Sequence, residues 1–335
     1  MPKNQHRLVF ACICISICLP GPSRLLGQGK TAWPKADPGP HKAVSISFEW
    51  KDTARDRVVP VKIWHPKELG QGAPIVVFSH GTGGSREGYA YLGQFWANHG
   101  YICVHPQHAG SDSEIFKGKA NVMDAIKKAA LNPKNAVERP KDISFVLDQL
   151  AMLHRDNGTF KGKLNLEAIG MAGHSFGAHT TMVIAGQTLG GLPVKDKRVK
   201  AIIPMSASAP RANLDRVYAD IKIPMLLMSG TLDEGLVNDT KAKERRVPFD
   251  RVMGADKFFI NFEGGDHMVF SGRFANKGSN DWRKQDEEFQ RCIKQSALAF
   301  WDAYLKNNDG ARAWIGGRGL SEYLGNLASV EVKLN

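Results

Sequence analysis

The 335-residue sequence predicts an α/β protein, a single domain built on a mostly parallel, doubly wound sheet with helices on both faces. Three observations lead there. Short continuous apolar runs recur at 74–79, 101–105, 168–173, 200–205, 223–229 and 257–262. Runs of that length, rich in Val, Ile, Met and Phe, suit parallel strands buried on both faces. Helical patterns separate them: in 138–154, Ile143, Val146, Leu147 and Leu150 fall at i, i+3, i+4 and i+7, and Phe289, Cys292, Ile293, Phe300, Trp301 and Tyr304 form a like stripe in 283–305. Finally, 43–50 and 57–65 alternate polar and apolar, as an antiparallel pair at a sheet edge does.

At the N-terminus, Lys3 and Arg7 precede an apolar run at 8–20, and small residues follow. The run is well short of the ~20 residues that span a bilayer, so residues 1–28 read as a secretory signal peptide and the protein as secreted or periplasmic. Residues 29–42, rich in Pro, Gly and Lys, read as a linker, and 43–335 as the folded domain. Three of the five cysteines belong to the signal segment, leaving Cys103 and Cys292. One lies in an apolar strand pattern and the other in an amphipathic helix, which favours buried free thiols over a disulfide. The stretches 113–136 and 234–255 exceed ordinary βα connections and read as insertions that cap a site.

Composition narrows the function. Hydrophobic residues at 42% and charged residues at 23% exclude a disordered chain. The net charge of +12 is scattered rather than gathered into a stripe, which argues against a nucleic-acid partner. No Gly-Lys-Ser/Thr follows the glycine-rich stretch at 79–84, so it is not a phosphate cradle, and the glycine spacing of a nicotinamide site is absent. His80, His99, His105, His108 and His174 lie near strand ends or turns, yet no H-e-x-x-H pattern, paired cysteines or carboxylates at ligand spacing accompany them. Neither a metal nor a cofactor is expected.

The sharpest motif is Gly173-His174-Ser175-Phe176-Gly177, between the apolar run 168–173 and a small-residue helical pattern. A nucleophilic serine on a tight strand-to-helix turn needs small residues on either side, and the following helix N-terminus favours a developing oxyanion. Ser175 is therefore the expected nucleophile. The base must follow in the chain, where only His179 and His267 are available. His179, four residues along the same helix, reads as a packed or surface residue, which leaves His267 in the loop after 257–262. For the orienting acid, Asp233 lies just past 223–229, with Glu234 and Asp239 as fallbacks and Asp266 in a structural role. The oxyanion donors are expected to be the backbone N–H groups of Phe176 and of Thr82, in Ser79-His80-Gly81-Thr82-Gly83-Gly84. His80 is expected to brace that loop. Phe116, Trp282, Phe270 and Met268 are candidates to line the pocket, and core packing explains any one of them as well.

The 79–84 segment, Asn98-His99-Gly100-Tyr101, His108-Ala109-Gly110-Ser111-Asp112 and the Ser175 motif together resemble the platelet-activating-factor acetylhydrolases and the bacterial predicted dienelactone hydrolases. Arg139-Pro140-Lys141-Asp142-Ile143 is similar to the start of their helix before the nucleophile. The likeness covers about residues 70–270. It implies an α/β-hydrolase fold, a Ser-Asp-His triad without a cofactor, and cleavage of carboxylic esters. A runner-up reading keeps the triad and changes the substrate to a polyester, a polysaccharide acyl group or a phospholipid. Dienelactone hydrolases carry a cysteine where this chain has Ser175. The acetylhydrolases place their acid one strand earlier, where this chain has Met205-Ser206-Ala207-Ser208 and no acid before Asp215. No interfacial apolar helix is evident in the pattern. A catalytically idle fold used for binding would be expected to lack a triad member, and none is lacking.

Overall fold

Alternation in the sequence sets the first sheet edge. Ala43–Asp52 (β1) and Arg57–Pro66 (β2) pair antiparallel in continuous register, from Ala43 opposite Pro66 to Asp52 opposite Arg57. The apolar runs then form Ala73–Ser79 (β3), Ile102–Pro106 (β4), Leu164–His174 (β5), Val199–Met205 (β6), Met225–Leu232 (β7) and Lys257–Asp266 (β8). Ala328–Lys333 (β9), which the apolar runs do not reveal, adds an antiparallel edge on β8. The sheet order is β1-β2-β4-β3-β5-β6-β7-β8-β9, with β4 through β8 mutually parallel.

This computed structural model describes Met1 and residues 33–192, 194–211, 213–237, 239–272 and 280–335, with side chains from residue 285 in the last stretch. The expected signal segment, the start of the expected linker and the Trp282 side chain lie outside the described residues. Helices within them are Ala90–Asn98 (α1), Val122–Ala130 (α2), Pro133–Asp156 (α3), Phe176–Ala185 (α4), Leu214–Val217 (α5), Val247–Arg251 (α6), Asn280–Leu305 (α7), Asp309–Gly316 (α8) and Gly319–Leu324 (α9).

Strand periodicity distributes the core between the two faces of the sheet. In β3, Val76 and Phe78 pack with Trp96 of α1 and Trp301 of α7, whereas Ile75 and Val77 pack with Ile143 and Leu147 of α3 and Met182 of α4. Alternate side chains of one strand thus serve two cores, because successive Cβ atoms point to opposite faces. Each fully buried Val, Ile or Phe contributes roughly 1.5–3 kcal/mol by leaving water. The doubly wound sheet and the α/β-hydrolase fold expected from the sequence are what the chain adopts.

Several local expectations meet specific outcomes. Cys103 and Cys292 are buried free thiols. Residues 33–42 carry no regular element but are tied down: Lys35 exchanges backbone hydrogen bonds with the Gln295 amide, and Trp33 stacks on Trp314 at 5.6 Å. The two insertions hold short helices, α2 with the start of α3 in the first and α6 in the second. α2 is amphipathic and leaves Val122 and Met123 exposed, a short apolar face that the sequence pattern concealed.

Candidate active site

β5 delivers Ser175 to a turn so tight that the serine itself takes φ 58°, ψ −115°. Positive φ on a residue bearing a Cβ is strained and persists only where the surroundings enforce it. Here the Ser175 N–H is held by the Met205 carbonyl of β6 at 3.0 Å, and α4 begins at the next residue. The flanking glycines are sterically required. A Cβ at Gly177 would strike the Ser79 carbonyl, and one at Gly173 would strike the Gly177 carbonyl. The G-x-S-x-G spacing is therefore the spacing at which β3, β5 and α4 converge.

Three residues from separate strand ends meet at this turn. Ser175 Oγ lies 3.0 Å from His267 Nε2, and His267 Nδ1 lies 2.7 Å from Asp233 Oδ1. His267 follows β8 directly and Asp233 follows β7 directly. With Asp233 ionised, Nδ1–H donates to it and Nε2 is left to accept the Ser175 proton. Asp233 is fully buried; Ser229 Oγ donates to its second oxygen at 2.9 Å, and Arg245 Nη2 lies 3.2 Å from the first. Burial opposes the charge on Asp233, but the His267 hydrogen bond and the Arg245 charge outweigh it and hold the carboxyl below its ordinary value. Glu234 and Asp239 are not in the row: they face Lys241 and Arg211 at the surface. Asp266 accepts the Met268 N–H at 2.9 Å, as its structural reading expects.

Two residues support the row in roles that the sequence did not assign to them. Arg245 is buried, and besides Asp233 it donates to the Ser206 carbonyl at 2.8 Å and to Ser208 Oγ at 3.0 Å. His174 stands beside the serine with its ring centroid 4.8 Å from that of His267. Burial pushes His174 down to about 3, so the ring is neutral and Nε2–H donates to the His267 carbonyl at 2.8 Å. Its Nδ1 then accepts from Tyr89 Oη at 2.8 Å, and Tyr89 Oη in turn accepts the Gly81 N–H at 3.3 Å. A chain of hydrogen bonds thus runs from the Thr82 loop to the backbone of His267.

Thr82 and Phe176 both line a cavity of ≈ 510 Å³ that opens on Ser175 and His267. Among the described residues neither their N–H groups donate to a backbone carbonyl, as amides aimed at a ligand would not. Phe116, Val122, Ile126, Leu131, Leu236 and Met268 supply apolar wall. Phe270 takes the core alternative: it is fully buried and does not line the cavity. His179 is a packed residue of α4, as expected, and it also lines the cavity; burial pushes its imidazole down to about 4.

Behind the Thr82 loop lies a second polar cluster. His80 donates from Nδ1 to the Gly81 carbonyl at 2.7 Å and accepts the His108 N–H at 3.1 Å, which is the bracing role expected of it. His108 has a carboxylate after all: Nδ1 lies 3.0 Å from Asp142 Oδ2, and Nε2 lies 3.0 Å from Ser79 Oγ. Linear spacing hid this partner because Asp142 arrives from α3. Arg57 and Arg55 also bind Asp142, at 2.7 and 2.8 Å. Against the cost of burial, the His108 and Arg57 hydrogen bonds hold the Asp142 carboxyl far below its ordinary value.

With this geometry in place, residues 35–205, just over half of the chain, match the Chlorophyllase family. The chain belongs to that family. It is also similar to proteins named platelet-activating factor acetylhydrolase. The Cavia porcellus protein is 25% identical over 279 residues, covering 74% of this chain and 61% of that protein. The Bos taurus protein is 25% identical over 229 residues, covering 60% and 48% respectively, and the Canis lupus familiaris protein 25% over 238 residues, covering 62% and 50%. The match thus spans between about half and three fifths of these relatives. The family member described here places its serine motif inside the matched segment, whereas Asp233 and His267 lie beyond residue 205.

Proposed function

We propose that this chain is an exported serine hydrolase that cleaves carboxylic esters through Ser175, His267 and Asp233, with 1–28 as its signal peptide and 43–335 as the catalytic domain. The hydrogen-bonded row at the strained Ser175 turn, opening on a largely apolar cavity, carries the reading. His267 Nε2 takes the Ser175 proton as Oγ attacks the ester carbonyl carbon. The carbonyl π electrons move onto oxygen, where the Thr82 and Phe176 N–H groups receive the charge, worth roughly 3–4 kcal/mol per donor by analogy. Collapse of the intermediate expels the alkoxide, which takes the proton from His267. Water, deprotonated by His267, then attacks the acyl-enzyme, and Ser175 recovers its proton as the acid leaves.

The substrate class follows from the walls. An apolar acyl or alkyl arm gains about 0.8 kcal/mol per CH₂ buried in such a cavity. The acetylhydrolase name of the relatives supports a short acyl group. A second reading keeps the triad but takes a polymeric or lipid ester. It is favoured by the exposed apolar side chains Val122, Leu131 and Leu236, which belong to the cavity lining and extend it to the surface.

Hydrolysis of p-nitrophenyl esters with acyl chains from two to twelve carbons tests the proposal. Turnover by the wild type and none by Ser175→Ala is expected, with a preference for the shorter chains. Folded wild-type protein without turnover across the series would overturn the general-esterase reading. Turnover only on emulsified or polymeric esters would favour the second.

A further inference from the structure

Arg139 of α3 is a fully buried cation with an unusual set of partners. Asp142, one turn along α3, is turned away toward His108, Arg55 and Arg57, and among the described residues no carboxylate lies within ion-pair distance of Arg139. Its donors go to neutral oxygens instead: Nε to Thr180 Oγ1 at 3.0 Å, Nη1 to Ser111 Oγ at 2.9 Å, and Nη2 to Ser79 Oγ at 2.9 Å and to the His80 carbonyl. The guanidinium carbon lies 4.6 Å from the centroid of the Phe176 ring. Burial pushes the guanidinium down to about 9, partly offset by Asp142, so it remains charged at neutral pH. A buried charge with no carboxylate in contact is costly and needs a reason to persist.

The partners supply one. Ser79 and His80 lead directly into Gly81-Thr82, and the Ser111 carbonyl holds the Gly83 N–H at 2.8 Å. Thr180 Oγ1 donates to the Phe176 carbonyl at 3.0 Å, within the first turn of α4. One planar, multi-donor group therefore binds both segments that carry the oxyanion donors. We infer that Arg139 is a positioning residue for the oxyanion hole, clamping the Thr82 loop against the Phe176 turn and holding a positive charge behind it. The inference rests on the serine-hydrolase reading. Lysine cannot replace the clamp, because an ammonium lacks the fork that reaches four oxygens in fixed directions. Its charge favours an oxyanion forming in a cleft of low dielectric, and the clamp keeps the two amides at the separation the oxyanion requires.

Arg139→Lys and Thr180→Val test the clamp from its two ends. Three readouts are measured on the full chain: thermal unfolding, kcat and KM for p-nitrophenyl acetate and hexanoate, and the rate at which a fluorophosphonate labels Ser175. The phosphonylation also builds negative charge on oxygen, but it needs no ester turnover. In folded Arg139→Lys, kcat and the labelling rate should fall together by about 10- to 100-fold while KM stays within about twofold. Thr180→Val should show the same pattern at about 3- to 10-fold. Rates within about twofold of wild type in both variants, or a rise in KM with kcat unchanged, would reduce Arg139 to a scaffold residue. If Arg139→Lys fails to fold, Thr180→Val decides. A wild type that labels but hydrolyses no ester would remove the esterase reading and leave the labelling rates to judge Arg139; one that does neither overturns both.

Discussion

Among the described residues lie two Ser-His-Asp rows, Ser175–His267–Asp233 at the mouth of the cavity and Ser79–His108–Asp142 behind it. Their separations are nearly the same: 3.0 and 2.7 Å in the first, 3.0 and 3.0 Å in the second. Their surroundings differ. Ser175 is partly exposed, sits on a strained turn at the start of a helix and faces the cavity. Ser79 is fully buried at the end of β3, and its hydroxyl oxygen receives Arg139. Asp233 shares its charge with one arginine, whereas Asp142 is bound by two. If Ser175 is the nucleophile as proposed, a hydrogen-bonded row is not sufficient for nucleophilic catalysis. The serine must also meet substrate, with amide donors beside it and a lone pair that no cation occupies.

Serine replacement breaks the comparison most sharply. Ser175→Ala should lower kcat by about 10⁶-fold with little change in unfolding temperature. Ser79→Ala should cost about 1–3 kcal/mol of stability, by unpairing Arg139 and His108, and no more than about tenfold in kcat. Ester turnover and urea unfolding of both variants check this. The acids should divide likewise: Asp233→Asn should lose about 10⁴-fold in kcat, while Asp142→Asn should lose up to roughly 3–5 kcal/mol of stability, by taking the buried carboxylate from the half-buried Arg55 and Arg57 and from His108.

The buried row should also register in the pH dependence of stability. Burial, together with the Arg139 charge, pushes His108 down to about 4, below its unfolded value near 6.5. The unfolded chain therefore takes up this proton more readily. The contribution is fully present above pH 6.5 and is lost as pH falls toward 4. His108→Gln should flatten the stability profile in that window relative to wild type, measured by urea unfolding at pH 7, 5.5 and 4. The smallest effect concerns the cavity wall. Ala130→Phe should raise KM for the longer acyl esters by about 3- to 10-fold and leave the acetyl ester almost unchanged, since one or two displaced methylenes are worth that much.

Much of this was legible before folding. Short apolar runs can satisfy both their backbone and their burial only as central parallel strands, so strand positions and sheet class followed from the sequence. The five candidate residues were legible for a related reason: each lies at a strand end or loop marked by glycine and turn residues, and chain order limited the choice of base and acid. β9 and the exposed face of α2 were harder, because six and nine residues give a periodic pattern little length over which to repeat. Arg245 left no local signal, and His174, Arg139 and Asp142 stood inside recognisable segments without any sign of their roles. Their meaning comes from what faces them across 12 to 93 positions of sequence. Local spacing determined where a nucleophile, a base and an acid could stand. Only the tertiary structure decided which Ser-His-Asp row meets the cavity, because burial, counter-charge and access belong to the packed chain and not to any segment of it.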